Sequence, residues 1–179
     1  YLAAPLYALF PDARTLLVLQ ALALALGAIP VFMLVRLQTR DAVLALALAA
    51  SYIIHPALHG VNTFDFHQIA LVTPLLLGAL YFLESGRTRP LLLMLGLALL
   101  VKEEVGLTVA AIGLYAFVAK KQFRLGAALA AVGALYFVVA VKFTMPALGG
   151  VPLVDRFAGV MAPGTNGLAG IALTLITNP

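Results

Sequence analysis

Cysteine is missing altogether from this 179-residue chain. That excludes a disulfide framework, a cysteine-ligated zinc and thiol catalysis. Charge is nearly as scarce: 10% of residues are Asp, Glu, Lys or Arg, against about 25% in soluble domains. No Gly/Ser-rich linker and no internal repeat divides the chain, so residues 1–179 read as a single domain. Nor is there a basic patch. The net charge of +4 is spread over short loops, which argues against nucleic acid as a partner. The chain starts at Tyr1 without Met and stops at Pro179 in an unfinished segment, so we expect it to be a fragment of a longer chain. A signal peptide cannot be judged from such a fragment.

What is present is hydrocarbon. Hydrophobic residues make up 64% of the chain, and they fall in long runs joined by short polar loops. This pattern predicts an all-α, polytopic transmembrane bundle in contact with membrane lipids. The expected helices cover about 14–35, 41–58, 68–83, 91–101, 105–119 and 125–141, and Leu168–Ile176 begins a further one. Pro30 is expected to kink the far end of the first span, and Asp41 to cap the second. Tyr1, Tyr7, Phe10, Asp12 and Arg14 suit a membrane interface. Between His59 and His67 the chain reads as a turn-rich polar loop without Lys or Arg. Tyr52, Tyr81, Tyr115 and Tyr136 read as packing or interface aromatics.

The stretch Leu91–Ala119 decides the topology. Two apolar runs flank Lys102-Glu103-Glu104. One charge at the centre of a bilayer helix costs about 2.5–3.5 kcal/mol on insertion scales, so three together need a reason. Either one long helix buries an ionic cluster, or two short helices meet at a recessed polar turn. Lys and Arg mark the cytoplasmic side. Placing the Arg36–Arg40, Arg87–Arg89 and Lys120–Arg124 loops there requires an even number of crossings between Arg89 and Lys120. Two helices, Leu91–Val101 and Val105–Ala119, satisfy this. They span only about 16 and 22 Å against a core of about 30 Å, so the turn is expected in a water-filled recess.

In that arrangement Asp65 and His67 share one membrane face with Glu103 and Glu104. Three carboxylates and an imidazole can ligate a divalent cation such as Mg or Mn, or supply a general base. Lys102 can hold an anionic group such as a lipid phosphate. A plainer reading stands beside each. Asp65 can simply close a turn, and Lys102 can neutralise a neighbouring glutamate. His55 and His59 have a helical metal spacing, but Pro56 between them favours loop histidines.

Three segments resemble one family of uncharacterised bacterial and archaeal membrane proteins, DUF2079: P-L-Y-A-L-F-P-D-A-R-T-L-L-V-L-Q-A-L-A-L-A-L-G-A-I-P at Pro5–Pro30, N-T-F-D-F-H at Asn62–His67, and L-L-V-K-E-E-V-G-L at Leu99–Leu107. The resemblance extends over nearly the whole chain. The family usually carries K-E-D where this chain has K-E-E, so Glu104 is a departure. It is in turn distantly similar to the GT-C glycosyltransferases, polytopic enzymes acting on polyprenyl-phosphate-linked sugars at the outer membrane face. That similarity implies inverting sugar transfer in a prokaryotic plasma membrane, with an acidic base and often a divalent cation. Lys102 would serve the donor phosphate. Glu103 and Glu104 would position metal or acceptor, and Asp65 and His67 would form the outer rim. The main GT-C acid usually lies in the first outer loop, which this chain is expected to lack, so Asp65, Glu103 and Glu104 are supporting candidates. Two competing expectations remain: an ion- or proton-coupled transporter with Lys102, Glu103 and Glu104 at mid-membrane on one long helix, and a non-catalytic membrane subunit. Oligomeric state, donor and acceptor are not legible.

Overall fold

The computed structural model describes residues 4–63, 65–147 and 149. The helix expected at Leu168–Ile176 lies outside them. Among the described residues all regular structure is helical: α1 (Ala4–Leu9), α2 (Ala13–Leu26), α3 (Ala28–Thr39), α4 (Ala42–Ile54), α5 (Pro56–Thr63), a 3₁₀ turn (Gln68–Leu71), α6 (Val72–Glu84), α7 (Thr88–Leu99), α8 (Val105–Val118), α9 (Phe123–Val139), a π turn (Ala140–Thr144) and α10 (Met145–Ala147).

Three helical runs are long and apolar enough to cross a membrane: Ala13–Thr39, Ala42–Thr63 and Phe123–Ala147, of 27, 22 and 25 residues. At 1.5 Å per residue they reach roughly 40, 33 and 37 Å, more than the hydrocarbon core of about 30 Å. Their outward faces are apolar, with Val43, Leu46, Leu135 and Phe143 each more than 60% exposed. A soluble monomer does not leave so much apolar surface open.

The first span breaks earlier than its proline suggests. Pro30 lies inside α3, and the joint between α2 and α3 falls at Gly27. Proline has no N–H for the carbonyl four residues back and its ring crowds that carbonyl, so the disturbance appears one turn upstream. Tyr52 of α4 fills the joint, its hydroxyl donating to the Leu24 carbonyl at 2.9 Å. A Cβ at Gly27 would lie 2.1 Å from that hydroxyl. Tyr52 is therefore more than a packing aromatic.

The second span runs further than the sequence suggests. His59 to Thr63 are helical, so the polar loop is confined to the residues after Thr63. Pro56 ends α4 by forcing His55 out of the helical region (ψ 127°) and then starts α5 as a first-turn residue, where its missing N–H does no harm. His55 caps this restart, its Nδ1 accepting the Ala57 N–H at 3.2 Å. Asp41 caps α4 as its position predicts, accepting from Val43 and Leu44 N–H.

Between these spans sit shorter helices. The main core joins α6 to α9: Ala79 and Leu83 from α6, Leu91, Leu95 and Ala98 from α7, Val105, Val109, Ile112 and Ala116 from α8, and Leu129 from α9. The α7 and α8 sets follow the i, i+4, i+7 spacing of a single buried stripe. Helices α8 and α9 run antiparallel with their backbones almost touching. Gly106 and Gly113 face Gly133 and Gly126, and a Cβ at Gly113 would lie 2.3 Å from the Ala130 nitrogen. Association in lipid relies on such close backbone approach, because apolar bulk is no better solvated by protein than by acyl chains.

Gly113→Ala should therefore destabilise the bundle by about 1–3 kcal/mol, the usual range for overpacking. Gly96, where a Cβ would meet nothing within 4 Å, provides the control. Gly96→Ala should be neutral or stabilising by up to about 1 kcal/mol, from helix propensity alone. Unfolding of the detergent-solubilised protein in titrated denaturant separates the two.

Candidate functional site

The charged triplet lies at a break in the chain. Helix α7 ends at Leu99 and α8 begins at Val105. No Gly or Pro occurs between Leu97 and Val105 to force this. The backbone instead tightens into i→i−3 bonds on both sides: Leu100 and Val101 N–H to Leu97 and Ala98 carbonyls, then Val105, Gly106 and Leu107 N–H to Lys102, Glu103 and Glu104 carbonyls. Tyr136 of α9 donates its hydroxyl to the Leu99 carbonyl at 2.5 Å, satisfying one of the carbonyls a helix end leaves open. Val101, 5% exposed, pins the turn to the core. With 12 and 14 residues, α7 and α8 reach only about 18 and 21 Å, each shorter than a hydrocarbon core of about 30 Å.

The second piece is the segment after Thr63, and Gln20 places it. Gln20 is fully buried in α2. Its Nε2 donates to the Val61 carbonyl at 2.9 Å, and its Oε1 accepts the His67 N–H at 2.7 Å. One amide thus fixes both the end of α5 and the entry to the 3₁₀ turn. Sequence reasoning overlooks it. The available signal is a lone amide inside an apolar run, since polar side chains in such runs commonly bond across helices.

These two pieces meet. His67 and Lys102, far apart in sequence, line one cavity of about 330 Å³ with Phe66, Gln68 and Ile69. Glu104 lines a neighbouring cavity of about 280 Å³ with Ile69, Thr73 and Thr108. Lys102 Nζ donates to Glu104 Oε2 at 2.8 Å, with the side chains 29% and 50% exposed. An exposed pair of this kind is worth at most about 1 kcal/mol, so the ammonium can exchange partners readily. His67 Nδ1 lies 2.5 Å from the Asp65 carbonyl oxygen. A carbonyl only accepts, so Nδ1 carries the proton and Nε2 is left for a ligand. Asp65 contributes its backbone here, as a turn residue does. Glu103 sits in the same turn, between Lys102 and Glu104.

The expected metal set does not assemble. Among the described residues no three His, Asp or Glu side chains come together as a cation site. The Lys102 ammonium also takes a Glu104 oxygen that such a site would need. The cavity holds one ammonium donor, Lys102, and one imidazole, whose Nε2 in this tautomer is an acceptor.

At the opposite end of the bundle, Glu84 ties α6 to the loop after α8. It accepts from the Tyr115 hydroxyl at 2.8 Å and from Lys120 Nζ at 2.5 Å. This hydrogen bond holds the Lys120 ammonium above its ordinary pKa of 10.5. A raised lysine value means the contribution to stability is complete below about 10.5 and fades as pH climbs through the folded value. The stability gap between the parent and Glu84→Gln should accordingly be constant from pH 6 to 9 and close only in strong alkali, as thermal unfolding across pH would show. Gln20→Leu should be the more damaging change. It leaves the Val61 carbonyl and His67 N–H without partners, at about 1–3 kcal/mol each, and should speed amide exchange at His67 more than at any α9 position.

The family model described as "Predicted membrane protein (DUF2079)" matches residues 1–179. No curated protein and no solved structure matches the chain. The match agrees with the three membrane-length apolar helices and the lipid-facing surface described above. This is a multi-pass α-helical membrane protein, and it belongs to the DUF2079 family.

Proposed function

We propose that the chain is part of a membrane-embedded glycosyltransferase that takes a sugar from a polyprenyl-phosphate donor at the extracytoplasmic face of a prokaryotic plasma membrane. The observation that carries this reading is the shared cavity of His67 and Lys102, which sets an ammonium beside an imidazole at the turn between two short helices. The resemblance of the family to GT-C enzymes supplies the reaction class.

In an inverting transfer of this kind, an acceptor hydroxyl attacks the anomeric carbon as the carbon–oxygen bond to phosphate breaks, and its proton passes to a carboxylate base, for which Asp65, Glu103 and Glu104 are the candidates in this chain. The electron pair leaves with the lipid phosphate. Lys102 trades Glu104 for a phosphate oxygen and offsets the charge that grows there. His67 lines the same cavity beside that phosphate. Asp65, Glu103 and Glu104 take supporting roles around the acceptor, and no step runs through a cation. Two features weigh against the transport reading. The helix it requires is interrupted at the triplet, and Lys102 is paired toward a cavity shared with a loop residue.

The sidedness follows from loop charge. The Arg36–Arg40, Arg87–Arg89 and Lys120–Arg124 loops face the cytoplasm in this reading, and the Lys102 turn faces out. Single cysteines at Asn62, Glu104 and Lys121 test it in intact cells. A membrane-impermeant thiol reagent should label the first two and spare the third, and labelling at 121 would reject the topology. For the activity, Lys102→Gln and His67→Gln in the full-length protein should lower glycolipid or glycan product about 10²-fold or more, the scale for losing one preorganised charge partner. Unchanged product by mass spectrometry in both variants would remove the transferase assignment.

A further inference from the structure

The Lys102–Glu104 pair stands between two cavities. Lys102 lines the one that holds His67, and Glu104 lines the neighbouring one of about 280 Å³. Their charged atoms meet at 2.8 Å, and Ile69 borders both spaces. Thr73 of α6 and Thr108 of α8 line the second cavity beside Glu104. We propose that this second cavity binds a neutral polyhydroxyl ligand, and that the Lys102–Glu104 pair couples its affinity to the anion held at Lys102. An anion that draws the ammonium away releases the Glu104 carboxylate for a ligand hydroxyl. This rests on the reading that Lys102 receives a phosphate, and it adds a second ligand site whose occupancy the first promotes.

The unused hydrogen-bonding groups point to such a ligand. Other helical hydroxyls are satisfied within their own helix: Thr39 donates to the Val35 carbonyl and Ser51 to the Ala47 carbonyl, each at 2.9 Å. Thr73 and Thr108 do not follow them. Among the described residues neither hydroxyl has a partner, and nothing donates to Glu104 Oε1. None of these atoms is sealed off, since no buried side-chain oxygen or nitrogen there is unsatisfied. The remaining walls, Ile69, Val72, Leu76 and Val105, are apolar. A ligand hydroxyl donates to a carboxylate and accepts from a threonine, so a polyol meets all three groups at once. At about 280 Å³ the cavity lies just under the roughly 300–1,000 Å³ of common small-molecule sites, which suits one sugar-sized ring. In the proposed transfer that ligand is the acceptor. The coupling has a ceiling. An exposed ion pair holds back at most about fivefold, the factor equivalent to about 1 kcal/mol. Linkage requires each ligand to promote the other by the same factor.

The test uses the full-length protein in amphipol, which brings neither phosphate nor sugar. Inorganic phosphate is titrated by calorimetry. Methyl glucoside, and methoxytetrahydropyran as the same ring without hydroxyls, are titrated by saturation-transfer NMR. In the parent, saturating phosphate should tighten methyl glucoside by up to about fivefold, and the glucoside should tighten phosphate by the same factor. Thr73→Val with Thr108→Val should weaken the glucoside tenfold or more and leave phosphate within twofold. Lys102→Gln should weaken phosphate tenfold or more, yet bind the glucoside without phosphate as tightly as the phosphate-loaded parent. Glu104→Gln should weaken the glucoside and tighten phosphate, a gain that structural damage does not produce. Should the double variant misfold by circular dichroism, Thr108→Val alone should weaken the glucoside threefold or more. Equal glucoside affinity with and without phosphate would overturn the coupling while leaving the phosphate pair standing. Equal binding of the two rings, or full glucoside binding in the threonine variants, would overturn the hydroxyl site. Unaltered phosphate binding in Lys102→Gln would overturn the phosphate reading, and the coupling with it.

Discussion

Hydrocarbon offers no hydrogen-bond partner, and this one constraint organises the bundle. A helix meets it without help, because its backbone groups bond to one another. Each interruption must be answered from elsewhere, and four among the described residues are answered by a side chain. The joint at Gly27 receives the Tyr52 hydroxyl. The restart at Pro56 takes the His55 ring. The end of α5 and the N–H of His67 share the Gln20 amide, and the end of α7 receives Tyr136. Three of these four stitches cross from one helix to another element. Satisfying the backbone and holding the tertiary structure are therefore largely the same interactions.

The helices divide by length, and the site follows from that division. Three helical runs are long enough to cross the hydrocarbon, while α7 and α8 are each too short to do so. A charged turn between short helices gains access to water without a long polar loop. What keeps the turn from wandering is the base beneath it. Glycines on α8 and α9 bring two backbones into contact, and Tyr136 reaches from that pair to the last carbonyl of α7. The loop carrying His67 is held just as firmly by Gln20. Two rigid supports thus bring a lysine and a histidine to one cavity.

In the proposed reading that cavity receives an anion. Its ammonium is already neutralised by Glu104, but through a solvent-exposed pair that is easily exchanged. Such a lysine is paired yet can exchange its partner. The histidine is held in one tautomer by a backbone oxygen, which leaves its Nε2 as an acceptor.

Much of this was legible without coordinates. Apolar runs of membrane length announced the all-α bundle, since no soluble fold tolerates them. Lys102-Glu103-Glu104 pointed to an interruption, since three charges cannot rest in lipid, and the basic loops on either side asked for an even number of crossings. Asp41 was readable as a cap from its place before an apolar run. The helical stretch from His59 to Thr63 was not, because its polar composition looks like a loop and only the Pro56 restart and its packing on α2 make it helical. Gln20 and Tyr136 look ordinary in sequence, and nothing local says which carbonyl forty or so residues away each will meet. By itself the sequence determined where hydrocarbon forbids charge, and so the spans and the break. Only the tertiary structure decided that His67 and Lys102 share a cavity, because that depends on long-range hydrogen bonds that periodicity does not encode.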